Sequence, residues 1–298
     1  MFKTTIFRSK WTLLFKGILF CCFLYLLFYR SKKLDFSEFY VADYWALLGC
    51  LFLMPINWFF EWYKWKQILQ NIDEVDNPVN FKAFASGIIA SFLTPSLSGD
   101  FLGRMLYYEK TKRWKITIQS TIANFSQFLV ALLMGLFSWL LLNYSLPFKL
   151  NNYIFISVSI SLFLLYFCGE RLAKKIPINQ IQLVANQIEK ENSRLSFLVI
   201  SGIRYVVFVA QYALALKAFG IEITFEIINY IMLVFLFITL TPSLFFGKIM
   251  VRESIAVAIF GMTGIETIPI IFASFSTWFF NLFLTAVIAL FFVKKSNR

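Results

Sequence analysis

Apolar runs of about twenty residues recur along this chain and limit what it can fold into. A helix needs about 20 consecutive apolar residues to cross the hydrocarbon core of a bilayer. Six segments have that length and character: 11–29, 41–60, 117–143, 153–169, 197–220 and 267–293. Inside lipid the backbone must satisfy its own polar groups, which favours helices over such runs. Only 15% of the 298 residues are charged, against 59% hydrophobic, whereas soluble domains carry about 25% charged residues. The expectation is an all-α polytopic membrane protein, with residues 1–298 forming one integral membrane domain. The longest polar stretches, 61–82 and 170–196, are loop-sized. The run 11–29 follows Lys3, Arg8 and Lys10 without a small-residue cleavage site after it, so it reads as an uncleaved first span.

Two further apolar segments are interrupted, and the interruptions match. Segment 81–106 contains Thr94-Pro95-Ser96-Leu97, then Gly99, Asp100, Gly103 and Arg104. Segment 225–260 contains Thr241-Pro242-Ser243-Leu244, then Gly247, Lys248, Arg252 and Glu253. Pro95 and Pro242 each remove a backbone donor and disfavour helix at the preceding residue. Gly99, Gly103 and Gly247 loosen the backbone further. Broken backbone at membrane depth is tolerated where protein or a water-filled cavity surrounds it. Both segments therefore read as re-entrant helical hairpins. Paired interruptions in corresponding halves are the pattern of an inverted repeat with a site near the midplane. Repeat one spans about 41–143 with hairpin 81–106, and repeat two about 197–293 with hairpin 225–260.

Charge placement orients the chain. Of its 28 lysines and arginines, most fall on one side if the N-terminus is cytoplasmic and each hairpin returns to the side it entered. Lys64, Lys66, Lys110, Lys112, Arg113, Lys115, Arg171, Lys174 and Lys175 are among them, as are Lys294 and Lys295. That bias predicts both termini in the cytoplasm, with Arg30, Lys32 and Lys33 as the discordant cluster. Trp58, Trp62 and Trp65 beside Lys64 and Lys66 read as an interfacial anchor. Segment 178–194 reads as a surface-lying amphipathic helix.

Charges within the interrupted segments are costly, at about 2.5–3.5 kcal/mol each on insertion scales. Asp100 and Arg104 are four apart, which places them on one helix face as an ion pair. Arg252 and Glu253 are adjacent, cannot share a face and need partners elsewhere. Asp100, Arg104, Lys248, Arg252 and Glu253 form the candidate substrate-binding set. The basic members could hold a lipid phosphate with help from exposed helix ends, or the charges could pair across the hairpins and hold the fold. Arg204, one turn into an apolar run, either snorkels to the interface or faces a cavity. Asn124, Gln127 and Gln211 read as interhelical hydrogen-bonding groups or pathway lining. Asp73, Glu74 and Asp76 form an acidic loop patch.

Several chemistries are disfavoured. Without histidine, the commonest general base and metal ligand is missing. Cys21, Cys22, Cys50 and Cys168 form no CxxC and read as buried apolar residues. No phosphate-loop pattern is present. The net charge of +12 sits at the ends of apolar runs, which points to anionic lipid rather than nucleic acid. No catalytic residue, cofactor or metal is expected.

The two motifs, in this order and separation, resemble those of the lysylphosphatidylglycerol synthase transmembrane-region family. Pro95, Gly99, Asp100 and Arg104 stand at its first motif; Pro242, Ser243, Gly247, Arg252 and Glu253 stand at its second. The resemblance covers the chain from about residue 41 onward, and the Arg-Glu copy is the more specific. Phe245-Phe246-Gly247-Lys248-Ile249 replaces the usual Gly-Gly before Arg-Glu, so the loop is bulkier and more basic. The resemblance implies a flippase-type lipid module in a bacterial inner membrane. The chain ends at Arg298 just after its last span, which leaves no room for the lysyltransferase domain of fused members. The expected function is movement or binding of an anionic or polyprenyl-linked lipid. The alternatives are a non-catalytic subunit of a cell-envelope assembly and, less favoured, a lipid-modifying membrane enzyme with Asp100 or Glu253 as base.

Overall fold

The computed structural model describes residues 40–72, 78–94, 99–142, 151–175, 193–241 and 249–293. Residues 41–298 form one compact unit and residues 1–40 another, of which only Tyr40 is described. The expected first span 11–29, the Arg30–Lys33 cluster, the acidic patch at 73–76 and positions 178–192 of the expected amphipathic helix lie outside the described residues.

Among the described residues the fold is all-helical, and five of the helices are long and apolar enough to cross a membrane. These are α1 (Tyr44–Asn71), α4 (Lys110–Leu142), α5 (Asn152–Lys174), α6 (Arg194–Ala218) and the continuous stretch 267–293. Each coincides with an expected span. That last stretch comprises α9 (Thr267–Trp278), a π-helical turn (Phe279–Leu284) and α10 (Thr285–Val293). The interrupted segments give four shorter helices: α2 (Asn80–Leu93), α3 (Gly99–Met105), α7 (Phe225–Leu240) and α8 (Ile249–Phe260). Pro95 falls outside the described residues between α2 and α3; Pro242, Gly247 and Lys248 fall outside them between α7 and α8.

Helix α1 runs eleven residues past the expected end at residue 60. Its N-terminus is capped by Asp43, whose carboxylate accepts from the Ala46 N–H at 2.9 Å. That backbone hydrogen bond holds the Asp43 carboxyl below its ordinary range. Cys50, Met54, Asn57, Glu61, Lys64 and Ile68 recur at three- and four-residue intervals along its buried face. Lys64 and Trp65 therefore lie in the interior, at 1% and 0% exposure, rather than at an interface.

Packing is reciprocal between the halves. Helix α1 lies against α6, α4 against α7, and α10 against α2, while α2 packs on α3 and α7 on α8. Large apolar side chains face outward, and several polar ones lie among the apolar residues of the interior. Trp45, Phe52, Phe59, Leu164, Val206 and Phe291 are exposed, while Asn57, Glu61, Lys64, Gln211 and Asn281 are buried. An exterior carrying many large apolar side chains suits lipid.

The break after α2 is stitched by the motif threonine. The Thr94 hydroxyl donates to the Ala90 carbonyl at 2.8 Å and accepts from the Gly99 N–H at 2.6 Å. Gly99 and Gly103 are not a loosened loop but part of α3, where they let two backbones touch. A Cβ on Gly103 would lie 2.5 Å from the Ser86 carbonyl oxygen, and one on Gly99 would strike the Ala90 backbone. Small residues four apart permit such close helix contact. Gly103→Ala is expected to destabilise the protein by about 1–3 kcal/mol through overpacking, read as a lowered unfolding temperature in detergent; an unchanged temperature would show that α2 and α3 separate freely.

Candidate functional site

Three helices bring five charges together. Arg104 on α3 donates from Nη2 to Glu61 Oε1 of α1 at 3.0 Å and lies 2.7 Å from Asp100 Oδ1. Its Nε also donates to Asp100 Oδ1, at 2.9 Å. The expected Asp100–Arg104 pair is therefore present. The second oxygen of Glu61 accepts from Arg204 Nη1 of α6. Arg204 neither snorkels nor stands free: its Nε also donates to Asn57 Oδ1 at 2.9 Å.

The guanidinium of Arg104 is held between two rings, 4.9 Å from the Trp65 centroid and 5.0 Å from that of Phe84. Cation–π contacts of this kind strengthen when desolvated, and Arg104 is 2% exposed. Gly87 makes room for the pair, since a Cβ there would meet Arg104 Cγ at 2.7 Å and Asp100 Oδ1 at 2.8 Å.

One turn beyond Glu61, Lys64 donates to the Ala123 carbonyl at 2.8 Å and to Ser201 Oγ at 3.1 Å. No carboxylate among the described residues is in salt-bridge range of its ammonium. Ser126 and Ser201 share a hydrogen bond at 2.7 Å beside it.

Among the described residues, no ion pair joins α7 or α8 to α2 or α3. Arg252 Nη2 donates to Thr277 Oγ1 of α9 at 2.7 Å. Glu253 has no hydrogen-bond partner among the described residues. A polar chain nevertheless links the regions. Asn281 Nδ2 donates to the Thr277 carbonyl at 3.0 Å, and Asn57 Nδ2 donates to Asn281 Oδ1 at 3.3 Å. Asn57 accepts from Arg204, which holds Glu61. The path from Arg104 to Arg252 thus runs through Glu61, Arg204, Asn57, Asn281 and Thr277. Asn281 sits in the π-helical turn, a local widening that frequently marks functional positions. Gln211 joins the chain, accepting from Asn281 at 2.7 Å and donating to the Cys50 carbonyl at 2.8 Å. Gln211 and Gln127 both make interhelical bonds, Gln127 Nε2 reaching the Ser201 carbonyl at 3.5 Å.

Sequence reasoning placed Asp100, Arg104, Arg252 and Glu253 but did not assign Glu61, Asn57, Thr277 or Asn281 to the site. Asn57, Glu61 and Lys64 share one helix face by their spacing, a legible signal once α1 is extended past residue 60. The chain matches no protein-family model, no curated protein and no solved structure.

Glu61→Gln leaves Arg104 and Arg204 without their shared counter-charge. Breaking a buried ion pair costs about 3–5 kcal/mol, so unfolding in detergent is expected to shift accordingly. Adding Arg204→Gln to that variant should restore part of the loss; strictly additive losses would show that the two arginines do not depend on Glu61.

Proposed function

We propose that this chain is a multi-pass lipid transporter of flippase type, whose site binds the anionic headgroup of a membrane lipid. The observation that carries the proposal is a charge imbalance. Lys64, Arg104 and Arg204 supply three cations within the helical layer, while Glu61 and Asp100 supply two carboxylates. One positive charge is left over where a charge of either sign is expensive. An anionic phosphate entering there neutralises the excess and can accept from guanidinium groups now held by Glu61.

The cluster is closed. The side chains of Arg104, Glu61, Arg204 and Asp100 are 3%, 9%, 11% and 16% exposed. A headgroup reaches it only if the helices part. The reciprocal packing of α4 on α7 and α10 on α2 supports two re-entrant hairpins in an inverted repeat, which would rock against one another to open the site alternately. The paired motifs support membership of the lysylphosphatidylglycerol synthase transmembrane-region family. The basic bias supports an inner-membrane location with both termini cytoplasmic. The protein acts without catalysis, and its partners are membrane lipids.

The complete pairing of Arg104 and Glu61 favours a second reading, a non-catalytic subunit of an envelope assembly in which the charges only hold helices together. The two readings separate in proteoliposomes. Headgroup-labelled anionic lipid is expected to cross with the wild type, and Arg204→Gln to slow that crossing about tenfold, the equivalent of about 1.4 kcal/mol in the barrier, at equal folded yield. If the wild type moves no anionic, zwitterionic or polyprenyl-phosphate lipid, the transporter reading is lost and the subunit reading takes its place.

A further inference from the structure

Two glutamates lie in the polar interior, and their surroundings differ completely. Glu61 accepts from two guanidinium groups. Glu253 accepts from none: both of its carboxylate oxygens are sealed from solvent and have no hydrogen-bond partner among the described residues. Its cationic neighbour among the described residues, Arg252, directs Nη2 to Thr277, and Arg252 Nε is itself sealed and has no hydrogen-bond partner there. The hydroxyls of Tyr212 on α6 and Ser274 on α9 are sealed from solvent as well, and Tyr212 lies near both Ser274 and Glu253.

Among the described residues, nothing else facing α8 supplies a counter-charge. Helix α9 carries no titratable side chain between Thr267 and Trp278. Helix α7 offers Glu226 and Tyr230 in its first two turns, and Tyr230 packs on Phe260 at the far end of α8, with centroids 6.1 Å apart. From α6 comes Tyr212, and from α1 the buried thiol of Cys50 on the Arg252 side. The N-terminal dipole of α8 gives little help. Its effect fades within the first turn, and Glu253 is the fifth residue of Ile249–Phe260.

An ionised carboxylate with neither water nor a donor is strongly disfavoured against its neutral acid. We propose that Glu253 is a proton-binding site, neutral in this closed arrangement, that exchanges its proton with water when α8 becomes exposed. Binding forms one Oε–H bond with a proton taken from water; release returns that proton and leaves a carboxylate beside Arg252. The carboxylate then competes with Thr277 for the guanidinium. Thr277 is joined through Asn281 and Asn57 to Arg204 and Glu61, so the protonation state of Glu253 bears on the five-charge cluster. This gives the chain a means of coupling to a proton gradient, and the protonation itself holds whether or not a lipid is moved.

Infrared spectroscopy of the full chain in nanodiscs tests it through the carbonyl stretch of a neutral carboxylic acid. At pH 7 the wild type is expected to show this band, and Glu253→Gln to lose it. Arg204→Gln, which weakens the proposed lipid site, should keep it, so failure of the lipid reading stays distinguishable. A wild type without the band at pH 7 overturns the proposal even if Glu253→Gln fails to fold. A band that persists in folded Glu253→Gln assigns the proton to another carboxyl and also overturns it.

Discussion

The carboxylate of Glu61, shared by two arginines, is the contact on which the rest of the arrangement depends. One oxygen takes Arg104 from the short helix α3, and the other takes Arg204 from the span α6. Three elements far apart in the chain are thereby fixed at one point in the layer. In water such an ion pair contributes little, because solvent screens it and side-chain entropy opposes it. Here all three side chains are at most 11% exposed, so leaving any one unpaired is far more costly than the pair is favourable. The rings of Trp65 and Phe84 and the absent side chain of Gly87 are consequences of seating a guanidinium there.

The network spreads from that point because each buried polar group needs a partner that lipid cannot provide. Arg204 recruits Asn57, Asn57 recruits Asn281, and Asn281 reaches the carbonyl of Thr277. The π-helical turn at Phe279–Leu284 contributes Asn281 to this chain, while its Phe283 packs on Phe92 and Trp278. Polar side chains thus link the helices within an interior that is otherwise largely apolar, while other large apolar side chains face outward. Where lipid surrounds the helices, the hydrophobic effect has little part in joining one span to another.

The halves resemble each other in packing and differ in electrostatics. Each has a broken pair of helices, and each pair leans on the last span of the other half. Yet the Glu61 cluster pairs its carboxylates with arginines, whereas Glu253 in the second half has no donor among the described residues. A polar group left unsatisfied in an otherwise satisfied interior is energetically exposed to any change in protonation or conformation. Proposed headgroup binding belongs to the cluster that α1, α3 and α6 form and proton exchange to α8, with one hydrogen-bonded chain between them.

Hydrophobic periodicity and length alone placed the spans, because crossing a bilayer requires a run of fixed length whatever the neighbours are. The helices at 44–71, 110–142, 152–174, 194–218 and 267–293 follow from that requirement. The Asp100–Arg104 pair was equally legible, since a spacing of four fixes two side chains on one face. The partners across the fold were not. Glu61 stands 43 residues from Arg104 and 143 from Arg204, and no local rule relates such distances. Lys64 and Trp65 look like interfacial residues by composition, and only packing against α4 and α6 puts them inside. Arg252 and Glu253 are adjacent and alike in their cost to bury, so sequence gives them the same need for a partner. The tertiary structure decided that Arg252 meets Thr277 and that Glu253 meets no donor among the described residues, because only the approach of α9 to α8 determines which donor and which acceptor come within reach.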